Sequence, residues 1–202
     1  MRKSRAVRLG AATLAAATVL AACSGGGDTS GSPASSRAAT TTGSPGGAAP
    51  QVPAPLNIVQ VKTDACKALS AQQIDQIGLV GPGKPTSISI GPGCTWASQA
   101  YATNVAGIGL VTANQLGLNN IYNKKDQYKG YFEPTTVEGY PAVYAAQTDG
   151  RSTGECLLWF GLTDQDYALV ETGIGAGPNR SNPCPVADRI ATAVIEHLKG
   201  AA

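Results

Sequence analysis

The residues able to do chemistry are few, and their spacing argues against most of it. One histidine, His197, stands in 202 residues, and general-base or nucleophilic catalysis would have to rest on it. It follows Val194 by three positions near the end of a helical pattern, where a charged imidazole interacts favourably with the helix dipole. No Gly-x-Ser-x-Gly elbow accompanies it. Two glycine-rich stretches mimic nucleotide loops. Gly81-Pro82-Gly83-Lys84-Pro85 lacks the Gly-Lys-Ser/Thr ending, and Pro85 removes an amide donor. Gly173-Ile174-Gly175-Ala176-Gly177 lacks the last required spacing. Both read as turns. Asp164 and Asp166 read as turn formers rather than as a carboxylate pair or a calcium loop. The sequence therefore points to no catalytic residue, no metal and no cofactor, and the protein is expected not to be an enzyme.

One mixed stretch suits binding. Tyr122, Tyr128 and Tyr131 interleave with Lys124, Lys125 and Lys129, and Tyr140 and Tyr144 follow. Tyrosine offers contact area with a polar tip, and lysine attracts anions, so Tyr122, Lys124, Lys125, Tyr128, Lys129 and Tyr131 are the candidate surface for a partner or a lipid headgroup. The competing reading packs the rings on a sheet and leaves the lysines to solvate a loop.

The strongest chemical signal is at the N-terminus. Arg2, Lys3, Arg5 and Arg8 precede an apolar run, Leu9 to Leu20, that is interrupted only by Gly10, Thr13 and Thr18. This is the layout of an export signal, and the run is shorter than the ~20 residues that span a bilayer. It ends in Leu20-Ala21-Ala22-Cys23, which resembles the lipobox of bacterial lipoproteins. That resemblance implies a signal peptide over residues 1–22, cleavage before Cys23 and lipidation of its thiol. At least two acyl chains would then anchor the protein stably. No twin-arginine pair is present, which favours general secretion.

Removing the leader changes the charge. The chain has 15 Lys+Arg and 13 Asp+Glu. Four basic residues and no acidic ones precede Cys23, which leaves 11 against 13. The basic balance belongs to the signal and gives no support to nucleic-acid binding. From Ser24 to about Pro55 the chain is Gly, Ser, Ala, Thr and Pro with little apolar surface to bury, and residues 23–55 read as a lipidated cysteine and a disordered tether. A flexible chain of about 32 residues reaches roughly 30 Å.

Residues 56–202 form one domain of ordinary size. Cys66, Cys94, Cys156 and Cys184 remain, and an even number in an exported domain reads as two disulfides rather than a metal site. Four cysteines allow three connectivities. Cys66 and Cys184 sit near predicted helix starts, and Cys94 and Cys156 lie on predicted strands, so stapling each helix to the sheet is attractive. The sequential pairing, Cys66–Cys94 and Cys156–Cys184, closes two separations of 28 residues and is the expected one.

The patterns predict a short helix, opened by the capping box Ser70-Ala71-Gln72-Gln73 and running to about Ile77, with Gly81-Pro82-Gly83 as the breaker beyond it. They predict strands at Thr86–Ile90 and Cys94–Ser98, turned by Gly91-Pro92-Gly93, and at Asn104–Thr112. A helix is expected over Ala113–Lys125. Further strands are expected at Thr136–Val137, Ala142–Gln147, Glu155–Leu162 and Tyr167–Gly173. Asn182-Pro183-Cys184-Pro185 opens a C-terminal helix whose stripe is Val186, Ile190, Val194 and Leu198. Strands in hairpin order flanked by helices give an α+β domain with an antiparallel sheet.

Five segments, together with the lipobox, carry a family resemblance. They are Ala65-Cys66-Lys67-Ala68-Leu69-Ser70, Gly93-Cys94-Thr95-Trp96, Val137-Glu138-Gly139-Tyr140-Pro141-Ala142, Glu155-Cys156-Leu157-Leu158 and Pro183-Cys184-Pro185-Val186-Ala187. The ordered set resembles the actinobacterial cell-envelope lipoproteins grouped as domain of unknown function 3558. Ala65 departs from the proline usual before the first cysteine. The resemblance implies an actinobacterial envelope protein with no established enzymatic role. By analogy the layering is similar to the α/β/α sandwich of PsbP-type proteins. The expected function is a lipoprotein anchored to the outer face of the cell membrane through its N-terminal lipid. It would act as a non-enzymatic binding or accessory module for an envelope protein or lipid. The alternative is a carrier or sensor of a hydrophobic envelope ligand, a lipid or glycolipid.

Overall fold

The computed structural model describes residues 48–200. The signal peptide over 1–22, Cys23 and the tether as far as residue 47 lie outside the described residues. The expected tether extended to Pro55, but its last residues are packed. The Ala49 amide donates to Asn119 Oδ1 at 2.9 Å and the Val52 amide to Asp164 Oδ1 at 3.2 Å. Val52 also packs against the main core.

Seven antiparallel strands make one sheet in the order β1-β2-β3-β7-β6-β5-β4. They are β1 (Lys84–Ile88), β2 (Gly91–Ala97), β3 (Val105–Val111), β4 (Tyr131–Val137), β5 (Tyr140–Ala146), β6 (Glu155–Gly161) and β7 (Tyr167–Gly173). Two meanders meet where β3 pairs with β7, Ile108 opposite Val170. Each edge strand carries a proline, Pro85 or Pro134, which withholds an amide from further pairing.

Strand alternation sorts side chains into two cores. Ala106, Ile108, Leu110, Leu158, Phe160, Ala168 and Val170 face the larger one. It is covered by α1 (Ala71–Gln76), a 3₁₀ turn at Ala65–Ala68 and α3 (Cys184–Gly200). Val143, Ala145, Trp159 and Tyr167 face the smaller one, under Leu118 and Ile121. Its only helical cover among the described residues is α2 (Asn119–Tyr122) and a 3₁₀ turn at Lys125–Gln127. The α+β class and the antiparallel sheet are as expected. Both disulfides, Cys66–Cys94 and Cys156–Cys184, take the sequential pairing.

The capping box forms as the sequence predicts. Gln73 N donates to Ser70 Oγ at 3.2 Å, and Ser70 N donates to Gln73 Oε1 at 3.0 Å. The helix ends at Gln76 with Ile77 as its C-cap, as expected, and the chain turns at Gly78 (φ +76°). Leu79 N bonds to Ile74 O and Gly78 N to Asp75 O, the two reciprocal bonds of a Schellman end.

Three local expectations fail for identifiable reasons. Gly91-Pro92-Gly93 lies inside β2, and the hairpin turns at Ser89-Ile90. The glycines serve close approach: a Cβ on Gly91 would strike the Leu110 carbonyl, and one on Gly93 would crowd Thr86. The helix expected over Ala113–Lys125 shrinks to α2. Gln115 and Gly117 take positive φ, and the Gly117 amide donates to Gln165 O at 3.0 Å. That docks the segment on the β6–β7 turn instead of winding it. The strand expected at Thr136–Val137 is a full seven residues. It turns into β5 through Glu138 and Gly139, both at positive φ, the dihedral pattern of a two-residue hairpin.

Candidate functional site

The structure divides the tyrosine–lysine stretch. Tyr122 meets Phe132 edge-on at 5.2 Å between centroids, and Tyr128 lies 6.2 Å from the same ring. Both are half-buried against the smaller core, and burial pushes both phenols upward. Lys124, Lys125 and Lys129 are exposed. Tyr131 does not join this group. It precedes Phe132 on β4, so it projects to the opposite face. Its hydroxyl accepts from Leu157 N at 3.1 Å, and the Arg151 guanidinium stacks 4.3 Å above its ring. Arg151 also pairs with Glu133 and Asp149 at 3.0 and 2.7 Å, and the guanidinium holds the Asp149 carboxyl below its usual range.

Tyr140 and Tyr144 belong to the larger core. Lys199 Nζ lies 5.1 Å from the Tyr140 ring. The Tyr144 hydroxyl donates a short hydrogen bond to Asp188 Oδ1 on α3. Burial, and then that carboxylate, raise the Tyr144 phenol far above its ordinary value. Asp164 and Asp166 act as turn and staple residues. Thr163 Oγ1 donates to Asp166 Oδ2 at 3.0 Å, and Lys62 Nζ lies 3.2 Å from Asp166 Oδ1.

A better-formed concavity lies where the start of β3 and the end of β7 meet α1 and α3. It has a volume of about 300 Å³, at the small end of the range for ligand sites. Ile77 and Leu79 from the end of α1, Val105 and Ala106 from the start of β3, Ile174 after β7 and Val186 on α3 supply apolar lining. Tyr101 and Arg189 complete the wall.

Local sequence fixes the shape of this groove. Asn104 is 6% exposed, and it bonds Ala176 through both amide atoms at 2.9 Å, closing the strand start onto the post-β7 loop. Gly177 (φ +89°) lets that loop pass beneath the Tyr101 ring, where a Cβ would collide. The glycine-rich segment read as a turn is thus a groove wall, contributing Ile174 and Ala176. Five large apolar side chains are exposed among the described residues, and two of them, Tyr101 (41%) and Val105 (49%), line this groove. A third, Val80 (47%), adjoins it in sequence at Leu79. An open apolar recess with one guanidinium at its rim can accept an alkyl chain and orient a polar group beside it.

The disulfides are those of an oxidising, extracytoplasmic setting. No described helix is long and apolar enough to cross a membrane. Among the described residues no three His, Cys, Asp or Glu side chains are grouped to hold a metal ion. A sequence model of the family described as "Protein of unknown function (DUF3558)" matches residues 18–197, nearly the whole chain. No match was found among curated proteins. The chain belongs to the DUF3558 family.

Proposed function

We propose that this DUF3558 protein is a lipid-anchored binding module of the cell envelope that recognises an amphiphilic ligand without transforming it. The observation that carries the reading is the apolar groove, along which Tyr101 and Val105 are exposed. Exposed apolar side chains gathered at a built recess mark a binding site more often than chance exposure. Cys23, preceded by Leu20-Ala21-Ala22, supports the anchor, and the two disulfides support work outside the cytoplasm. The groove is too small to enclose a whole two-chain lipid, so sensing or presenting part of a ligand fits better than carrying it.

The test is native mass spectrometry of the full chain extracted gently from its own membranes. The expected spectrum shows diacylglyceryl mass on Cys23 and a separate non-covalent adduct of amphiphile mass. Cys23→Ala should remove the first and keep the second, and Val105→Glu should do the reverse. A protein without adduct, or an adduct indifferent to Val105→Glu, would overturn the groove as the site.

A further inference from the structure

The two disulfides are alike in plan and differ in their surroundings. Each joins a fully buried cysteine on a strand, Cys94 or Cys156, to a partly exposed one in a helical turn, Cys66 or Cys184. Cys66 lines a surface recess of about 510 Å³, together with Ile74, Leu79, Gly81, Pro82 and Gly83. Cys184 is instead flanked by Pro183 and Pro185 at the start of α3.

Thiol–disulfide exchange makes two demands. A thiolate must reach one sulfur, and the other sulfur must leave as a thiolate, faster when that anion is stabilised. At Cys66–Cys94 the reachable sulfur is the one in the recess, so the buried Cys94 sulfur must leave. A thiolate in an apolar core is costly unless a donor faces it.

Such a donor is in place. A Cβ on Gly83 would lie 2.4 Å from both Cys94 Sγ and Trp96 Nε1, so those two atoms are no more than twice that distance apart. Trp96 is fully buried, and its indole N–H has no hydrogen-bond partner. Indole offers a donor and no acceptor. The sulfur of an intact disulfide is a poor acceptor and leaves this N–H idle, whereas a thiolate accepts a strong, charge-assisted bond. Among the described residues Thr172 Oγ1 is also buried without a partner, and Thr172 stands opposite Cys156 on the adjacent strand. Both bridges therefore have a donor near the buried sulfur, and the recess at Cys66 sets the first one apart.

We propose that Cys66–Cys94 is an exchangeable disulfide whose substrate is a low-molecular-weight thiol. The thiolate attacks Cys66 Sγ from the recess and forms a new S–S bond to it. The Cys66–Cys94 bond breaks, and its electron pair goes to Cys94 Sγ, where the Trp96 N–H holds the thiolate. The only proton involved is the one the attacking thiol lost on ionising. Return attack by Cys94 on Cys66 expels the thiol and closes the bridge. A recess of this volume suits a small molecule, and the partly buried position of Cys66 favours one over a protein thiol.

The test uses the full chain extracted from its own membranes and treated with 2-mercaptoethanol, whose only charge is its thiolate, since Asp75 also lines the recess. Samples are quenched in acid at intervals, alkylated in denaturant and mapped by peptide mass spectrometry. The mixed disulfide is expected on Cys66 and the alkyl group on Cys94, at least tenfold faster than Cys156–Cys184 opens. Trp96→Phe should slow opening of Cys66–Cys94 at least threefold and leave the other bridge unchanged. A variant that was merely loosened would open its bridges faster, and that result would overturn the role of the indole. The comparison of the two bridges needs no variant. Equal rates at both, or the mixed disulfide on Cys94, would overturn the proposal. Reduced thioredoxin at the same thiol concentration serves as the protein thiol, and opening by it but not by 2-mercaptoethanol would overturn the small-thiol assignment.

Discussion

The two faces of the sheet are built to different specifications. On one, the turn at Cys66 and the long helix α3 are covalently stapled to β2 and β6, and a continuous core runs from Leu69 to Leu198. On the other, a four-residue helix, a 3₁₀ turn and the strap around Ala49 lie over a much smaller core, with no cross-link among the described residues. A disulfide restricts the unfolded chain, whereas short helices derive their stability from the surface they cover. The stapled layer of α1 and α3 therefore holds its side of the groove in place. The thin face is the part expected to open first in local unfolding, a property of segments with few buried apolar contacts.

The largest test of this contrast is reduction. Losing a native disulfide typically costs about 2–5 kcal/mol. Both bridges sit on the stapled face, so Cys156→Ala/Cys184→Ala should lower stability by an amount in that range and loosen α3. Denaturant melts read the energy, and amide exchange reads the location. If melts in reductant matched those without it, or if exchange quickened at α2 before α3, the asymmetry would be wrong.

A matched pair of core truncations sharpens it. Ile190 on α3 and Ile121 on α2 are both nearly fully buried, at 1% and 2% exposure. Ile→Ala in a core costs about 2–5 kcal/mol, depending on how far the site collapses. Ile190→Ala leaves its cavity between a tethered helix and the sheet, so it should lie near the upper end. Ile121→Ala lies under a short helix that can settle inward, so it should lie near the lower end. Equal losses in urea melts would mean that the short cover is as rigid as the stapled one.

The stapled face was also the more legible one in the sequence. Its signals are local and repeated: the capping box at Ser70, the stripe Ile190, Val194 and Leu198, and cysteines whose sequential pairing holds. The thin face was misread because its controls are contacts distant in sequence. Gly117 docks on the Asp164–Gln165 turn, and this cancels the helix that local propensity favoured over Ala113–Lys125. Strand alternation also divides the tyrosines: Tyr122 and Tyr128 pack against Phe132, and Tyr131 is sent to the other face. The groove was not legible: Ile77, Tyr101, Ile174 and Arg189 are brought together only by the assembled fold, and no spacing in the chain announces that.

The smallest expected effect asks whether non-covalent contacts also hold α3. Tyr144 on β5 donates to Asp188 on α3. Burial and the facing carboxylate raise its phenol above the ordinary value, which is near 10 in the unfolded chain. A raised folded value means that the native state keeps its proton where the unfolded state has lost it. The stabilisation is then complete below about pH 10 and declines as pH rises beyond it. Tyr144→Phe should cost about 1–2 kcal/mol at pH 8, the size of a hydrogen bond to a charged acceptor at a half-buried site. The cost should shrink towards pH 11, because the variant lacks the wild type's ionisation at this position. Tyr122, Tyr128 and Tyr131 are also raised, but they titrate in both proteins and cancel in the difference. Melting curves of the two proteins from pH 8 to 11 give the comparison directly. A gap that stays constant would show that the Tyr144 contribution does not depend on the phenol's proton, and no gap at pH 8 would show that the contact does not help to hold α3.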